Sequence, residues 1–408
     1  MLSRRKILQS GSGLLTLPLL GCESVLPGDI DNIVITDLEL IPVRATYRTV
    51  WLIVRLYTSN GLSGIGEASD AFGYANTTAE NAATMRAELA EYFSLIANRS
   101  PLAIEYFRQQ GRKRAQRGLV SATAYSAIEQ AMWDLAGQVL GVPTYQLFGG
   151  KVRDSLPVYA NINRATSPRT PEGFAATATR AYKDGFRAMK AAPFDGFPSN
   201  GTTAEITTHI ESGIAAIFAM REVLGNETAL MIDCHSFFSI PQAIAVAERL
   251  EPVNLTWYEE PVPPDQVDAT LAIKAGISQA MAGGEQLFGL AGFDELIQRR
   301  SFDVIMPDVK HCGGLLALIQ IAAVAAEAGI LVAPHNPSGP VATAASIQVC
   351  ANLANFNYLE LQYGEVDWRS NALTPAEIFV DGSIRVPDAP GFGVKLNEDV
   401  IQEMSLPL

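Results

Sequence analysis

The chain has 408 residues and a net charge of −13, with 48% hydrophobic and 18% charged residues. Such a composition describes a compact globular protein with a large core and excludes an intrinsically disordered chain. The acidic balance argues against nucleic acid as a partner, because that binding rests on basic contacts to phosphates.

The first segment stands apart. Ser3-Arg4-Arg5-Lys6-Ile7-Leu8 looks like a twin-arginine export signal, and an apolar run from Gly13 to Leu20 is too short to span a bilayer. Leu19-Leu20-Gly21-Cys22 resembles a lipoprotein processing site. Residues 1–31 are therefore expected to be an export signal and tether, leaving a periplasmic or lipid-anchored protein whose membrane contact is a lipid on Cys22. A leader that is not functional would leave the protein cytoplasmic. Cys234, Cys312 and Cys350 show no disulfide or metal spacing and read as small core residues.

Residues 32–65 alternate as antiparallel strands do, with a turn at Ser59-Asn60-Gly61 and a short Gly-rich strand after it. Helical patterns follow over 76–97, 101–116 and 119–140, the last ending at Gly141-Val142-Pro143. Residues 32–152 thus form an α+β unit. From Leu156 a strand–helix rhythm repeats, with strands expected at 156–161, 186–190, 229–233, 255–259, 280–285, 303–308, 329–335 and 357–362. Eight strands and seven intervening helices predict an α/β fold with a (β/α)8 barrel over 153–385, capped by the first unit. A doubly wound open sheet is the alternative, though it leaves the many polar strand endings unexplained. Residues 386–408 do not form a ninth unit and are expected to pack back on the capping domain.

In this fold chemistry lies at the C-terminal strand ends. Asp233, Glu259 and Glu285 each close an apolar run at intervals of 26 residues, room for one strand, loop and helix. Three successive strands would aim three carboxylates at one rim, a hard-oxygen set that suits a divalent cation such as Mg²⁺, or Mn²⁺ in its place. A single acid after a strand is as readily a helix N-cap; three in register are not explained so. The remaining strand ends present Asn161 and Asn163, Lys190, His235, Asp308 with His311, His335 and Glu360. Three of the chain's four histidines fall in this set.

The set resembles the enolase superfamily, in its mandelate racemase/muconate lactonizing enzyme-like family, nearest the acid-sugar dehydratases of the galactonate type. The resemblance covers residues 32–408. It rests on Asp233, Glu259-Glu260-Pro261 and Gly284-Glu285, on Pro307-Asp308-Val309-Lys310-His311-Cys312-Gly313-Gly314, and on Ala333-Pro334-His335 and Leu359-Glu360. Trp133-Asp134 and Leu147-Phe148-Gly149-Gly150 in the first domain match as well. It implies Asp233, Glu259 and Glu285 as Mg²⁺ ligands, His335 as the base oriented by Asp308, His235 as the acid on a leaving hydroxyl, and Glu360 as a hydrogen-bonding partner of the substrate carboxylate. Glu260 alternates to the other side of its strand. A homo-oligomer is implied too.

One departure bears on chemistry. Where two-faced members carry Lys-x-Lys, this chain reads Lys190-Ala191-Ala192, so the second lysine is missing. Racemisation needs an acid/base on each face of the α-carbon, and the loss favours one-base elimination. The expected activity is dehydration of an α-hydroxy sugar acid to a 2-keto-3-deoxy acid, with Lys190 a carboxylate or enolate partner. A racemase or epimerase using His335 and Lys190, and a non-catalytic lipoprotein that binds sugar acids, are the alternatives. Asn163, His311, Tyr47, Arg48 and Tyr74 are candidate substrate contacts, the last three from capping-domain loops.

Overall fold

The computed structural model describes residue 30, residues 32–73 and residues 78–406. The segment read as an export signal, Cys22 and Tyr74 lie outside the described residues. Ile33–Leu408 form one compact unit.

Three antiparallel strands open it, β1 (Ile35–Arg44), β2 (Val50–Thr58) and β3 (Ser63–Glu67), in the order β1-β2-β3. Helices α1 (Ala79–Phe93), α2 (Ile104–Ala115) and α3 (Leu119–Leu140) follow. Thr78 caps α1 by accepting from the Asn81 N–H, and Gly141, in the left-handed conformation, ends α3. Helix α3 is buried on nearly every side because it lies between the small sheet and the barrel. The Gly-rich character of β3 has its cause here. A Cβ at Gly66 would stand 2.0 Å from the Ala127 carbonyl oxygen, and one at Gly64 2.3 Å from that of Ala131. Only glycine lets the strand approach the helix so closely.

The barrel strands are β4 (Ser155–Asn161), β5 (Ala188–Ala191), β6 (Ala229–Asp233), β7 (Trp257–Glu259), β8 (Met281–Gly283), β9 (Val304–Ile305), β10 (Leu331–Val332) and β11 (Leu359–Gln362). All eight fall within the predicted segments or a residue beyond, several of them shorter. They pair in parallel from β4 through to β10, and β11 returns to pair with β4. Between β10 and β11 the ring closes through Val332 and the residues just ahead of β11, whose Asn357 N–H donates to the Val332 carbonyl. The intervening helices are α4 (Pro171–Lys183), α5 (Thr203–Leu224), α6 (Ile240–Arg249), α7 (Val267–Lys274), α8 (Gly289–Gln298), α9 (Gly314–Glu327) and α10 (Pro340–Cys350). Thr202 and Glu205 form a reciprocal capping box at the start of α5.

Four short strands beyond the barrel were not expected: β12 (Leu373–Thr374), β13 (Phe379–Val380), β14 (Ser383–Arg385) and β15 (Lys395–Leu396). The β13–β14 hairpin pairs antiparallel with the start of β4. A last helix, α11 (Glu398–Met404), leads to the Leu406 N–H, which donates to Pro42 at 2.8 Å. The tail therefore returns to β1 of the first sheet. Cys234, Cys312 and Cys350 are buried free thiols.

Buried carboxylates join the two halves. The N-cap residue of helix α9 is Gly313, which has no side chain to cap it, and Glu129 of α3 accepts instead from Leu315 at 2.7 Å and Leu316 at 3.2 Å. Glu67, the last residue of β3, accepts from Gly339 at 2.7 Å and Ala342 at 2.8 Å at the start of α10. Burial raises both carboxyls above the usual range, and these donors oppose it. An acid at a helix start satisfies orphan N–H groups and meets the positive end of the dipole.

Gly66→Ala is expected to lower stability by about 3 kcal/mol or more, because strand and helix must part. Gly61→Ala, in open space at the β2–β3 turn with φ +84°, should cost only ~1 kcal/mol for its backbone conformation. Denaturant melts of the two variants beside the parent protein check both. Equal losses would show that the close approach is not what the glycines serve.

Candidate active site

Strand alternation builds the site. Inside the barrel Ala188, Met231, Trp257, Met306, Ala333 and Tyr358 form an apolar layer. Two residues further on, and so on the same inward side, stand Lys190, Asp233, Glu259, Asp308, His335 and Glu360. Asp233 and Glu259 are direct partners across β6 and β7. Glu285 breaks the parity, since Ala282 is the inward residue of β8. Gly284, at φ +103°, turns the chain and brings Glu285 inward. Glu260 points away and accepts from the Gly284 N–H at 2.7 Å, as its place next to Glu259 predicts.

Carboxylate oxygens of Asp233, Glu259 and Glu285 lie within 4.8 Å of one another, and all three residues are buried. Opposite oxygens around an octahedral Mg²⁺ are about 4.2 Å apart, so the three need draw together only slightly to share a hard cation. The Lys190 ammonium, 1% exposed, lies 2.8 Å from Glu259, 3.2 Å from Glu360 and 3.7 Å from Asp233. Burial works against that ammonium, but Glu259 and Glu360 outweigh it and hold its pKa well above the ordinary lysine value. Burial and Asp233 raise the Glu259 carboxyl, with Lys190 pulling it down. The Trp257 indole donates to the second Glu259 oxygen at 2.9 Å.

On one side of the acids, His335 Nδ1 meets Asp308 at 2.7 Å and its Nε2 lies 3.1 Å from Glu285. Burial alone would lower the imidazole pKa; Glu285 and Asp308 push it up to about 9. Asp308 is held in turn by Lys310, whose N–H donates to Oδ1 at 2.7 Å and whose ammonium reaches Oδ2 at 2.6 Å. Lys310 also donates to Ser338 and lies 3.6 Å from Asp70 of the first domain. Burial raises Asp308, yet Lys310, His311 and His335 keep it well below the usual carboxylate range.

On the other side His235, at φ 44°, places Nε2 3.1 Å from Asp233 and Nδ1 2.5 Å from Asp195. Glu360 accepts from the Asn336 N–H at 2.8 Å and from the Asn161 amide at 2.7 Å.

A cavity of about 340 Å³ opens over these groups, lined by Lys190, Asp233, His235 and His335 together with Arg48, Asn163 and Gln362. Arg48 and Asn163 thus stand where a substrate would lie. Two other candidates do not. Tyr47 is 87% exposed and outside the lining. His311 is buried behind Asp308, with Nδ1 2.8 Å from the Thr123 hydroxyl of α3; burial lowers its pKa to about 4 and keeps it neutral.

Sequence reasoning passed over Asp195, Lys310 and Trp257. Lys310 had a signal, since it lies two residues past Asp308 and so on the same side. Asp195 had none, because a loop rather than a strand presents it.

The architecture matches known families over nearly the whole chain. The enolase C-terminal domain-like family matches residues 173–400. The mandelate racemase / muconate lactonizing enzyme N-terminal domain matches residues 32–149. The D-xylonate dehydratase of Haloferax volcanii is 30% identical over 386 residues, covering 92% of this chain and 90% of its own. The D-galactonate dehydratase of Ralstonia pickettii is 28% identical, covering 88% and 93%. A mandelate racemase/muconate lactonizing enzyme from Sulfitobacter sp. has a solved structure that superposes with a TM-score of 0.82 at 26% identity, covering 91% and 95%. The chain belongs to the enolase superfamily, in its mandelate racemase/muconate lactonizing enzyme family.

Proposed function

We propose that the protein is a Mg²⁺-dependent hydro-lyase that dehydrates an α,β-dihydroxy sugar acid to a 2-keto-3-deoxy acid. The observation that carries this reading is one arrangement: a buried three-carboxylate cluster with His335–Asp308 on one side and His235 on the other, Asp233, His335 and His235 lining one cavity. Relatives named as acid-sugar dehydratases support it.

The proton α to a carboxylate is weakly acidic, so the barrier is the charge that grows on the carboxylate as that proton leaves. A divalent cation on Asp233, Glu259 and Glu285 supplies the Lewis-acid stabilisation of that charge. Lys190 adds a fixed positive charge beside the same acids, where water is excluded and the interaction is strong. His335 takes the α-proton at Nε2, Asp308 holding its other nitrogen. The electron pair released at the α-carbon forms the double bond as the β C–O bond breaks. His235 delivers a proton to the departing oxygen, water leaves, and the enol becomes the keto acid. Glu360, with one oxygen turned to Asn336 and the other to Asn161 and Lys190, secures the rim against which the substrate carboxylate lies. Lys190, surrounded by three carboxylates, keeps its proton. That weakens the epimerase reading, which needs it as a second base.

The direct test is incubation with aldonic and aldaric acids in the presence of Mg²⁺. A keto acid should form from at least one of them, and none from any, with the metal bound, would sink the proposal.

Chelation should abolish turnover, and Mg²⁺ should restore it. Glu259→Gln is expected to weaken Mg²⁺ binding by more than the ~10–100-fold that loss of an outer partner costs, read by titration calorimetry.

In D₂O the two histidines should separate. His335→Asn is expected to lose both α-proton exchange and dehydration by about 10³-fold or more, while His235→Asn keeps exchange and loses dehydration. Exchange lost in both variants would assign the base wrongly.

A further inference from the structure

We propose that Asp195 and His235 form a second carboxylate–imidazole pair, across the cavity from Asp308–His335, and that Asp195 is the positioning residue that aims His235 at the leaving hydroxyl. This rests on the dehydratase reading and deepens it.

His235 sits in a sharp turn just past the end of β6. Its own N–H donates to Asp233 at 2.9 Å, and the next N–H, of Ser236, donates to the Glu260 carbonyl. Both residues have positive φ, 44° and 60°. The backbone is thereby set, but nothing in it decides which ring nitrogen faces the cavity. Asp195 makes that decision. Its Oδ1 lies 2.5 Å from Nδ1, so the ring presents Nε2 to the interior.

Asp195 is itself held from behind. The turn after β5, closed by the Asp195 N–H on the Ala192 carbonyl, lifts the carboxylate toward β6. The Asn163 amide donates to Oδ2 at 2.7 Å, and the Arg169 guanidinium lies 3.4 Å away. Arg169 is fixed by the Ala192 carbonyl at 2.6 Å and by the Asn163 side chain at 2.8 Å. The construction parallels the first pair. Asp308 meets His335 and the Lys310 ammonium at one oxygen and the Lys310 N–H at the other, while Asp195 divides its oxygens between His235 and Asn163, with a cation beside each carboxylate.

Two consequences follow for this chain. Asn163 acts on the substrate through Asp195 and His235, not only as a lining residue. In place of the missing lysine, Ala192 begins a turn that brings in a carboxylate and, through it, an imidazole. In the reaction the Nε2 proton passes to the β-oxygen as the C–O bond breaks, and Nδ1–H stays on Asp195.

The test uses the Mg²⁺-loaded protein with Asp195→Asn and Asp195→Glu, on whichever acid the parent dehydrates. Dehydration by the Asn variant is expected to fall about 10²-fold or more, the range for lost orientation of an imidazole. α-Proton exchange in D₂O and KM should change less than ~3-fold, and the Glu variant should recover part of the loss. Unchanged dehydration, or exchange and dehydration lost in equal proportion, would overturn the proposal. If the parent exchanges no α-proton with any acid, the dehydratase reading fails and the role of Asp195 in it fails too. The pair itself is then decided by proton NMR: a strongly downfield Nδ1–H signal lost in both His235→Asn and Asp195→Asn supports it, and no such signal refutes it.

Discussion

Five carboxylates buried at one end of a barrel set the terms for this structure. Asp233, Glu259, Glu285, Asp308 and Glu360 are all 5% exposed or less. Removing such charges from water is costly unless each finds a partner. Lys190 and Lys310 are the two buried ammonium groups that answer them, each lying against more than one acid. They leave a negative excess centred on Asp233, Glu259 and Glu285, the three acids whose oxygens converge. The proposed divalent cation would relieve most of that excess, and a substrate carboxylate would then be tolerated where the chain alone would repel it.

The capping domain takes part in this balance and does more than cover the barrel mouth. Asp308 stands in the loop that leads to α9, and His335 in the loop that leads to α10. Those two helices are the ones whose starts are held by Glu129 and Glu67 of the first domain. Asp70, next to β3, reaches Lys310, and Lys310 holds Asp308. The His335–Asp308 pair is built by the barrel and clamped from outside it. Gly64 and Gly66 belong to the same device, because they let β3 lie close enough to α3 for both acids to reach their helices.

Much of this was legible in the sequence, for physical reasons that can be named. Strand alternation has a period of two, so Lys190, Asp233, Glu259, Asp308, His335 and Glu360 declare their side once the strands are recognised. The 26-residue spacing worked because one strand–helix unit has a nearly constant length there. Where the rule depends on an exception the sequence is silent: Glu285 points inward only because Gly284 turns the chain. The β12–β15 strands were missed because they are two or three residues long, below any periodic signal. Tyr47 and His311 were plausible by neighbourhood, but a loop tip can face solvent and a strand-end histidine can turn toward a helix. The support of His235 was out of reach, as it joins loops after β4, β5 and β6 that nothing local relates.

The two histidines face each other with the acids between them, which raises the question of why elimination should prevail over inversion. An acid/base on each face of the α-carbon would serve inversion equally well. The difference lies in which atom the second imidazole can reach. Lys190 occupies the rim between Glu259 and Glu360 and keeps its proton, so it closes the approach from β5 with a fixed charge. His235 comes instead from the turn past β6, its Nδ1 held on Asp195 of the β5 loop and its Nε2 turned the other way, 3.1 Å from Asp233. In the proposed dehydration that nitrogen serves the β-oxygen and not the α-carbon, and proton delivery there expels water. On that proposal Asp195, by fixing which nitrogen His235 presents, favours elimination over inversion where the metal site and the base alone would leave both open.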